Sequence, residues 1–165
     1  MSEAGDSKFS PESASSRAWL RNADYIPLLK GSYRIFGKAN KTVGAKIFYT
    51  KEQDGLNQKW TGRCWLNPPY SQPACSQFVK KITEKFESKE ISQAIILVNN
   101  STETLWFKDL ISCARAVVFP SGRIRFLDPQ GKPGAPLQGQ AFIYFGDSPN
   151  KFLSEFQKFG WGALL

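Results

Sequence analysis

Residues 65–71, with the sequence WLNPPYS, constrain the fold more than any other part of the chain. Residues 62–66, which end inside this stretch, have a composition typical of a β-strand. A helix is predicted after it, because apolar residues recur every three or four positions: Cys75, Phe78, Val79, Ile82 and Phe86. Pro73 suits the first turn of that helix, where its missing N–H is no loss. The tetrapeptide NPPY is therefore predicted to form a corner at the carboxyl end of a strand, where open α/β sheets bind ligands.

The predicted corner brings together groups that suit an amine. Two successive prolines hold φ near about −65° and leave nearby carbonyl groups without ladder partners. The side-chain carbonyl of Asn67 and the backbone carbonyl of Pro68 would accept the two hydrogens of a planar amino group. Tyr70 offers an aromatic face for stacking on the ring that carries this group. Such a grip localises the nitrogen lone pair and makes the nitrogen a better nucleophile.

A structural explanation of the same four residues is also open. Asn-Pro is a common turn initiator. An aromatic residue that follows a turn often anchors the core instead of stacking on a ligand. The tetrapeptide alone does not separate the two explanations, so its surroundings must decide.

The surroundings resemble the phage-type DNA N6-adenine methyltransferases, the Dam-like family. Matching segments before the corner are ANKTVGA at 39–45, FYT at 48–50, DGL at 54–56 and WTGR at 60–63. Those after it are AIILV at 94–98, TETLWF at 102–107, GRIRF at 122–126 and AFIYFG at 141–146. The block from DGL through WLNPPYS is the most specific part, since protein-glutamine and RNA methyltransferases also carry NPPY.

The resemblance implies both a fold and a reaction. The fold is an α/β, S-adenosylmethionine-dependent methyltransferase-like (Rossmann-type) sheet with a C-terminal antiparallel hairpin, possibly incomplete in its N-terminal half. The donor and cofactor is S-adenosylmethionine, the partner is double-stranded DNA, and the acceptor is an adenine swung out of the duplex. Asn67, Pro68, Pro69 and Tyr70 are the expected catalytic residues. No metal is implied.

Asn40 and Asp54 are the donor-binding residues expected from the same resemblance. For Asp54 a turn-forming role is also open, because an aspartate in a turn can bond nearby backbone through its carboxylate. Residues 32–38 (SYRIFGK) contain no acid, where family members usually carry an Asp-Pro-Ala-Ser-like segment. This departure keeps open a catalytically inactive DNA-binding remnant of the family. Methylation of a protein glutamine or of RNA is a third hypothesis, because NPPY serves those reactions too.

The charge balance is consistent with a polyanionic partner. The chain has 22 Lys and Arg against 14 Asp and Glu, a formal net charge of +8. Lys80 and Lys81, with Lys85 and Lys89, are predicted to form a basic exposed side of the helix after NPPY. Phosphate contact and simple solvation of this helix face are both open.

A second basic segment follows the last buried run. The alternation in 123–126 predicts a strand with Arg123 and Arg125 on one face and Ile124 and Phe126 on the other. Arginines beside an aromatic ring suit phosphates and a splayed base, so Arg123, Arg125 and Phe126 are expected nucleic-acid contacts. A half-buried strand with a solvated basic face is the structural alternative.

The remaining elements predict an α/β order. Continuous apolar runs at 94–98 and 116–119 are typical of buried strands, with a polar link at 90–93 and a helix from 102 onward between them. Residues 127–139, rich in proline and glycine, predict a loop. Further predictions are a strand at 140–146 that pairs antiparallel with 116–126, and a helix after Ser148-Pro149 that carries Phe152, Phe156 and Phe159.

Length and composition predict one domain at 17–165, with a short helix at 17–30, after a disordered arm at 1–16. Three cysteines and no histidine argue against a zinc site, a disulfide framework and a histidine-activated nucleophile. No apolar run approaches the roughly 20 residues of a membrane span, and the polar start lacks the apolar centre of a signal peptide. These features predict a cytoplasmic protein.

Overall fold

The structure, a computed structural model, describes residues 33–35, 47–49, 53–125, 135 and 138–165. Its strands are β1 (Tyr33–Ile35), β2 (Ile47–Tyr49), β3 (Gly62–Leu66), β4 (Ile91–Asn99), β5 (Ala116–Pro120), β6 (Gln140–Phe145) and β7 (Gly160–Leu164). Its α-helices are α1 (Ala74–Glu87), α2 (Leu105–Ser112) and α3 (Pro149–Phe156). Short 3₁₀ helices occupy Gly55–Asn57 and Gln157–Phe159. The predicted arm at 1–16 and helix at 17–30 lie outside the described residues, as do Asn40 and Phe126.

The described strands form one seven-stranded sheet in the order β2-β1-β3-β4-β6-β5-β7. Strands β1 to β4 run parallel to one another. Strand β6 is antiparallel to both β4 and β5, and β7 is antiparallel to β5. Strands β1 to β5 therefore all end at one edge of the sheet, where β6 and β7 begin. We call this edge the carboxyl edge.

The core lies on both faces of the central strand β4, as its uninterrupted apolar sequence predicts. One face of β4 contributes Ala94, Ile96 and Val98 to a cluster with residues of α1 and α2. The other face contributes Ile95 and Leu97 to a cluster with residues of α3. Helices therefore cover both faces of the sheet, which is the arrangement of an α/β fold.

Most of the predicted elements are confirmed. They are the strand at 62–66, the helix after Pro73, the buried strands at 94–98 and 116–119, the return strand, and the last helix. The antiparallel pairing of β5 with β6 is confirmed as well, with Val117 opposite Ile143. The mixed α/β class follows from this arrangement.

Three details of the prediction are wrong. Residues 90–93 are not a link, because β4 already begins at Ile91, which pairs with Gly62 and is buried. The strand predicted to reach 126 ends at Pro120, after which the chain bends at Ser121 and Gly122. The last helix stops at Phe156, and Phe159 lies in a 3₁₀ turn after it.

Strand β7 was not predicted at all. It has no alternating pattern, and its glycines are explained only by the strand beside it. A Cβ at Gly160 would lie 2.0 Å from the Phe119 carbonyl oxygen, and one at Gly162 would lie 2.6 Å from a Val118 methyl carbon. Glycine is needed at both positions because β7 approaches β5 so closely.

Candidate active site

The NPPY corner lies at the carboxyl edge, between β3 and α1. Leu66 is the last residue of β3 and pairs with Ile96 of β4. The helix starts at Ala74 with Pro73 at its capping position. The Cys75 amide donates a 3.0 Å hydrogen bond to the Ser71 carbonyl, which closes the turn into the helix. The predicted strand-to-helix corner is therefore confirmed.

The side chain of Asn67 is held by Tyr70. The Tyr70 hydroxyl donates a 3.0 Å hydrogen bond to Asn67 Oδ1. Burial raises the pKa of Tyr70 above its ordinary value, and Cys75 raises it further. The phenol thus remains a protonated donor at physiological pH. Because a carbonyl oxygen has two lone pairs, Asn67 Oδ1 keeps capacity to accept a second hydrogen bond.

The neighbouring groups in the corner cannot easily take up a proton. Burial raises the pKa of Cys75 to about 11 and that of Cys64, on β3, to about 12. Both thiols are therefore neutral near pH 7 and poor nucleophiles. Pro68 is buried, Pro69 is half-buried, and neither carries a titratable group. The corner offers hydrogen-bond acceptors and an aromatic ring, but no general base.

Trp65, two residues before Asn67, carries an unusual polar group. Its indole Nε1 is buried, and no group in the described part of the chain accepts its hydrogen bond. The ring lies on the α3 face of the sheet, with its centroid 6.2 Å from that of Phe142. A buried donor without a partner costs about 1–3 kcal/mol.

Asp54 follows β2 and caps the 3₁₀ helix Gly55–Asn57. Its backbone is left-handed, with φ of 46°. Its Oδ1 accepts the Leu56 amide at 3.1 Å, and its Oδ2 accepts the Asn57 side-chain amide at 2.6 Å. The turn-forming role of Asp54 is confirmed. A role in donor binding stays a prediction, with both carboxylate oxygens engaged inside their own loop.

Lys81 joins this loop to α1. Its Nζ donates to the Leu56 carbonyl and, at 2.7 Å, to the Gln58 carbonyl. It also lies 5.0 Å from the centre of the Trp60 ring. Burial lowers the pKa of Lys81, and the charge of Lys85 lowers it further. The contacts of this ammonium group are to the protein's own loop.

The expectation of one basic exposed side on α1 is therefore wrong. Lys81 faces the loop at 54–60, and Lys85 forms a 2.7 Å ion pair with Glu90. Lys80 does lie on the surface, with 77% of its side chain exposed and Glu84 at 3.8 Å. Of the predicted pair, Lys80 is the one placed where it can meet a phosphate.

We expect Lys81→Met to lower the free energy of unfolding by about 1.5–3 kcal/mol, because two carbonyl groups lose a charged donor. Lys80→Met is the matched control, one position away on the same helix. It removes only an exposed ion pair and should cost less than about 1 kcal/mol. Urea denaturation measures both values. Equal losses in the two variants would contradict the assigned role of Lys81.

The segment after β5 carries the two predicted arginines. Arg123 and Arg125 are exposed, whereas Ile124 between them is 8% exposed and packs in the α3-side cluster. The predicted alternation of these three residues is confirmed, although they do not form a strand. The segment starts from the carboxyl end of β5, so it belongs to the same edge of the sheet as Asn67.

A group of side-chain amides at the carboxyl edge was missed by the sequence analysis. Asn99 at the end of β4 donates to Gln138, and Gln140 at the start of β6 donates to Asn99 Oδ1 at 3.4 Å. Gln140 Oε1 in turn accepts the Ile124 amide at 3.1 Å. An amide at the end of an apolar run and another at the start of the returning run were the available signals. Their pairing depends on the β4–β6 register, which periodicity does not reveal.

Two further features are absent from the described residues. No three His, Cys, Asp or Glu side chains there are grouped in a way that could hold a metal ion. None of the helices described is both long enough and apolar enough to cross a membrane.

The chain thus has a mixed α/β sheet with the NPPY corner at its carboxyl edge. The family model described as DNA N-6-adenine-methyltransferase (Dam) matches residues 31–141. The match covers more than half of the chain, which therefore belongs to this family. The resemblance found in the sequence is confirmed.

The chain is also similar to a phage protein, the DNA N-6-adenine-methyltransferase of Haemophilus phage HP1 (strain HP1c1). The two are 34% identical over 92 residues, which cover 50% of this chain and 47% of the relative. The chain thus spans about half the length of the relative that it matches.

Proposed function

We propose that this protein transfers a methyl group from S-adenosylmethionine to the exocyclic amine of an adenine in double-stranded DNA. The observation that carries the proposal is the hydrogen bond from Tyr70 to Asn67 Oδ1 in a corner of a Dam-family chain. It fixes an acceptor at the carboxyl edge without using all of that acceptor's capacity. The single domain expected at 17–165 would carry the NPPY corner.

The strand order supports a Rossmann-type methyltransferase fold. Four neighbouring parallel strands are followed by β6, which is antiparallel and lies between β4 and β5. Open sheets of this kind bind their ligands outside the carboxyl ends of the parallel strands. The NPPY corner follows β3, one of the inner strands, so its location agrees with this rule.

Asn67 and Pro68 would hold the acceptor amine. The Asn67 side-chain carbonyl and the Pro68 backbone carbonyl each accept one N6 hydrogen, which draws the nitrogen lone pair out of conjugation. Tyr70 already holds the Asn67 carbonyl before the substrate arrives, so little reorganisation of this group would be needed at the moment of reaction. Pro69 stiffens the backbone, and the Tyr70 ring stacks on the base.

Among the described residues, Trp65 fits a methyl donor at this edge better than Asp54 does. The unpartnered Trp65 indole N–H suits a carboxylate or hydroxyl oxygen of the donor. The Asp54 carboxylate already bonds Leu56 and Asn57, so its capacity for a ribose is reduced. When bound, S-adenosylmethionine supplies an electrophilic methyl group on a sulfonium.

The chemical step needs no general base from the corner. S-adenosylmethionine would supply its sulfonium methyl group to the adenine N6 and would leave as a neutral thioether, and the N6 amine would become positively charged. That amine is strongly acidic and loses one proton to water. Asn67 and the prolines cannot take the proton, and the raised pKa of Tyr70 keeps its hydroxyl a donor. The chain's part is to orient the amine and stack the base.

Double-stranded DNA is the partner that this site would require. The net charge of +8 supports binding to a polyanion, and exposed Lys80, Arg123 and Arg125 supply cations near the carboxyl edge or on α1. Swinging the base out of the duplex costs a few kcal/mol, which stacking on Tyr70 and hydrogen bonds to Asn67 would offset.

Tyr70→Phe separates the two roles of this residue. The variant keeps the ring but loses the hydroxyl that orients Asn67 Oδ1. We expect kcat for DNA methylation to fall by about tenfold, the weight of one hydrogen bond of about 1.4 kcal/mol, with KM for DNA nearly unchanged. Steady-state kinetics measure both. A Tyr70→Ala variant should also raise KM, and identical kinetics in the two variants would contradict separate roles for ring and hydroxyl.

Calorimetric titration with S-adenosylmethionine tests the donor. A dissociation constant in the micromolar range, about −8 kcal/mol, supports the methyltransferase. No heat of binding, together with retained affinity for DNA, would favour instead a non-catalytic DNA-binding protein of the same family. The observation that favours this second function is that both carboxylate oxygens of Asp54 already accept hydrogen bonds inside their own loop.

A further inference from the structure

Gln140 stands out at the carboxyl edge because it is a buried polar residue with two distinct partners. Only 6% of its surface is exposed. Its Oε1 accepts the Ile124 amide at 3.1 Å, and its Nε2 donates to Asn99 Oδ1 at 3.4 Å. A buried amide is costly unless it is hydrogen-bonded, so the two bonds explain how it is tolerated.

The hydrogen bond from the Ile124 amide to Gln140 takes the place of a backbone hydrogen bond to a neighbouring strand. The described pairing of β5 with β6 ends at Val118 opposite Phe142. Beyond Pro120 the chain has left the sheet, yet the Ile124 amide is buried and needs an acceptor. Gln140 provides that acceptor from its side chain. The Ile124 side chain is 8% exposed and packs into the α3-side cluster. This packing is a second contact that holds the segment in place.

The bond to Asn99 connects this segment to the strand beside the NPPY corner. Leu66 at the end of β3 pairs with Ile96, so β4 continues for three further residues to Asn99. Adjacent strands lie about 4.8 Å apart. Asn99 therefore lies three residues beyond the level of Leu66 on the neighbouring strand, and Gln140 lies opposite Asn99 on the next one. A continuous set of hydrogen bonds leads from β4 to the basic segment.

We propose that Gln140 is a positioning residue for DNA binding: it holds the Arg123–Ile124–Arg125 segment at the carboxyl edge, with Arg125 directed to the phosphate backbone. The inference rests on the proposed function, since it concerns the same DNA. Arg125 is exposed, and its neighbour Ile124 is anchored both by its amide and by its side chain. A fixed backbone lowers the entropy lost when the arginine engages a phosphate.

Gln140→Met removes both hydrogen bonds and keeps the length of the side chain. The matched control is Gln93→Met, at the other end of β4, where Gln93 donates a 2.7 Å hydrogen bond to the Tyr144 hydroxyl. Binding to a labelled, unmethylated duplex of mixed sequence is measured over a series of salt concentrations. Amide hydrogen exchange at Ile124 is measured in the same proteins without DNA.

The wild-type Ile124 amide should be protected from exchange, and Gln140→Met should remove that protection. The variant should bind the duplex about tenfold more weakly, raise KM for DNA and leave kcat nearly unchanged, with a salt slope lower by about one phosphate contact. Arg125→Gln should lower the slope of the wild-type protein by a similar amount. In the Gln140→Met background, Arg125→Gln should have little further effect, because both changes remove the same phosphate contact. Gln93→Met should bind as the wild type does.

The proposal is overturned by an unprotected Ile124 amide in the wild-type protein, which needs no variant to be seen. It is also overturned if Gln140→Met binds with wild-type affinity and salt slope, or if Arg125→Gln has its full effect in that background. In those cases the wild-type protein still binds and methylates DNA, and the proposed function stands. A wild-type protein that does not bind the duplex would overturn both.

Discussion

Asn67→Ala is expected to lower kcat/KM for DNA methylation by about 10²–10³-fold, the effect of losing one preorganised group aimed at developing charge. The substitution deletes the side-chain carbonyl that Tyr70 orients and that the N6 hydrogen would meet. The backbone carbonyl of Pro68 remains, so one of the two proposed acceptors survives. Single-turnover transfer of a labelled methyl group to unmethylated DNA measures the loss.

The fall in activity of Asn67→Ala should arise in the methyl-transfer step and not from unfolding of the protein. Asn67 is half-buried in a loop, and its described side-chain bond is the one with Tyr70. The free energy of unfolding should fall by no more than about 1 kcal/mol. Asn150→Ala, an exposed asparagine in the first turn of α3, is the control and should leave both activity and stability unchanged. Methylation by Asn67→Ala at the wild-type rate would remove the basis for the proposed mechanism.

Trp60→Ala is expected to cost about 3–5 kcal/mol of unfolding free energy, the range for removing a large aromatic side chain from a core. Trp60 is 1% exposed, and its ring lies parallel to Phe78 with centroids 6.0 Å apart. Its indole donates a 2.9 Å hydrogen bond to the Gly55 carbonyl. The residue therefore ties the loop at 54–60 to α1, together with Lys81.

The chain offers its own control for this substitution. Trp161 on β7 is 67% exposed and stacks on Phe119 at 6.0 Å. Trp161→Ala should cost less than about 1 kcal/mol, because surface substitutions seldom cost more. Chemical denaturation of both variants gives the comparison. Similar losses for Trp60 and Trp161 would mean that the loop at 54–60 is not part of the core.

The sequence was most informative where local pattern and burial agree. The helix after Pro73 was predictable because Phe78, Val79 and Ile82 share one face, and all three are buried. The run Ile95-Ile96-Leu97 predicted a strand covered on both sides, since only burial on both faces suits such a sequence. The NPPY corner followed from the same two elements, because it is the turn between them.

Features that depend on distant neighbours were not predictable in this way. Strand β7 carries Gly160 and Gly162 because β5 lies close beside it, and no property of residues 160–164 alone indicates this. The strand predicted through residue 126 stopped at Pro120 because the chain bends out of the sheet there. Arg123, Ile124 and Arg125 do alternate between exposed and buried, as predicted. The alternation arises because Ile124 is buried, although the three residues do not form a strand.

The candidate site also combines features that local sequence predicts with features that depend on distant residues. Asn67 and its neighbours were predicted as the site from the chemistry of their side chains together with the resemblance of the surrounding segments to the Dam-like family. Lys81 was expected on an exposed basic face, as a nucleic-acid contact or a solvated residue, yet it bonds carbonyl groups more than 20 positions earlier in the chain. The amides of Asn99 and Gln140 meet only because β4 and β6 pair in a register that places them opposite each other. Charge and period cannot reveal contacts made across such separations.

The most direct test of the account is nucleoside analysis, by mass spectrometry, of unmethylated DNA incubated with the wild-type protein and S-adenosylmethionine. We expect N6-methyladenine in this DNA, formed about 10²–10³-fold more slowly with Asn67→Ala. Methyl groups found only on cytosine N4, only on RNA or protein, or at equal levels with both proteins would contradict it.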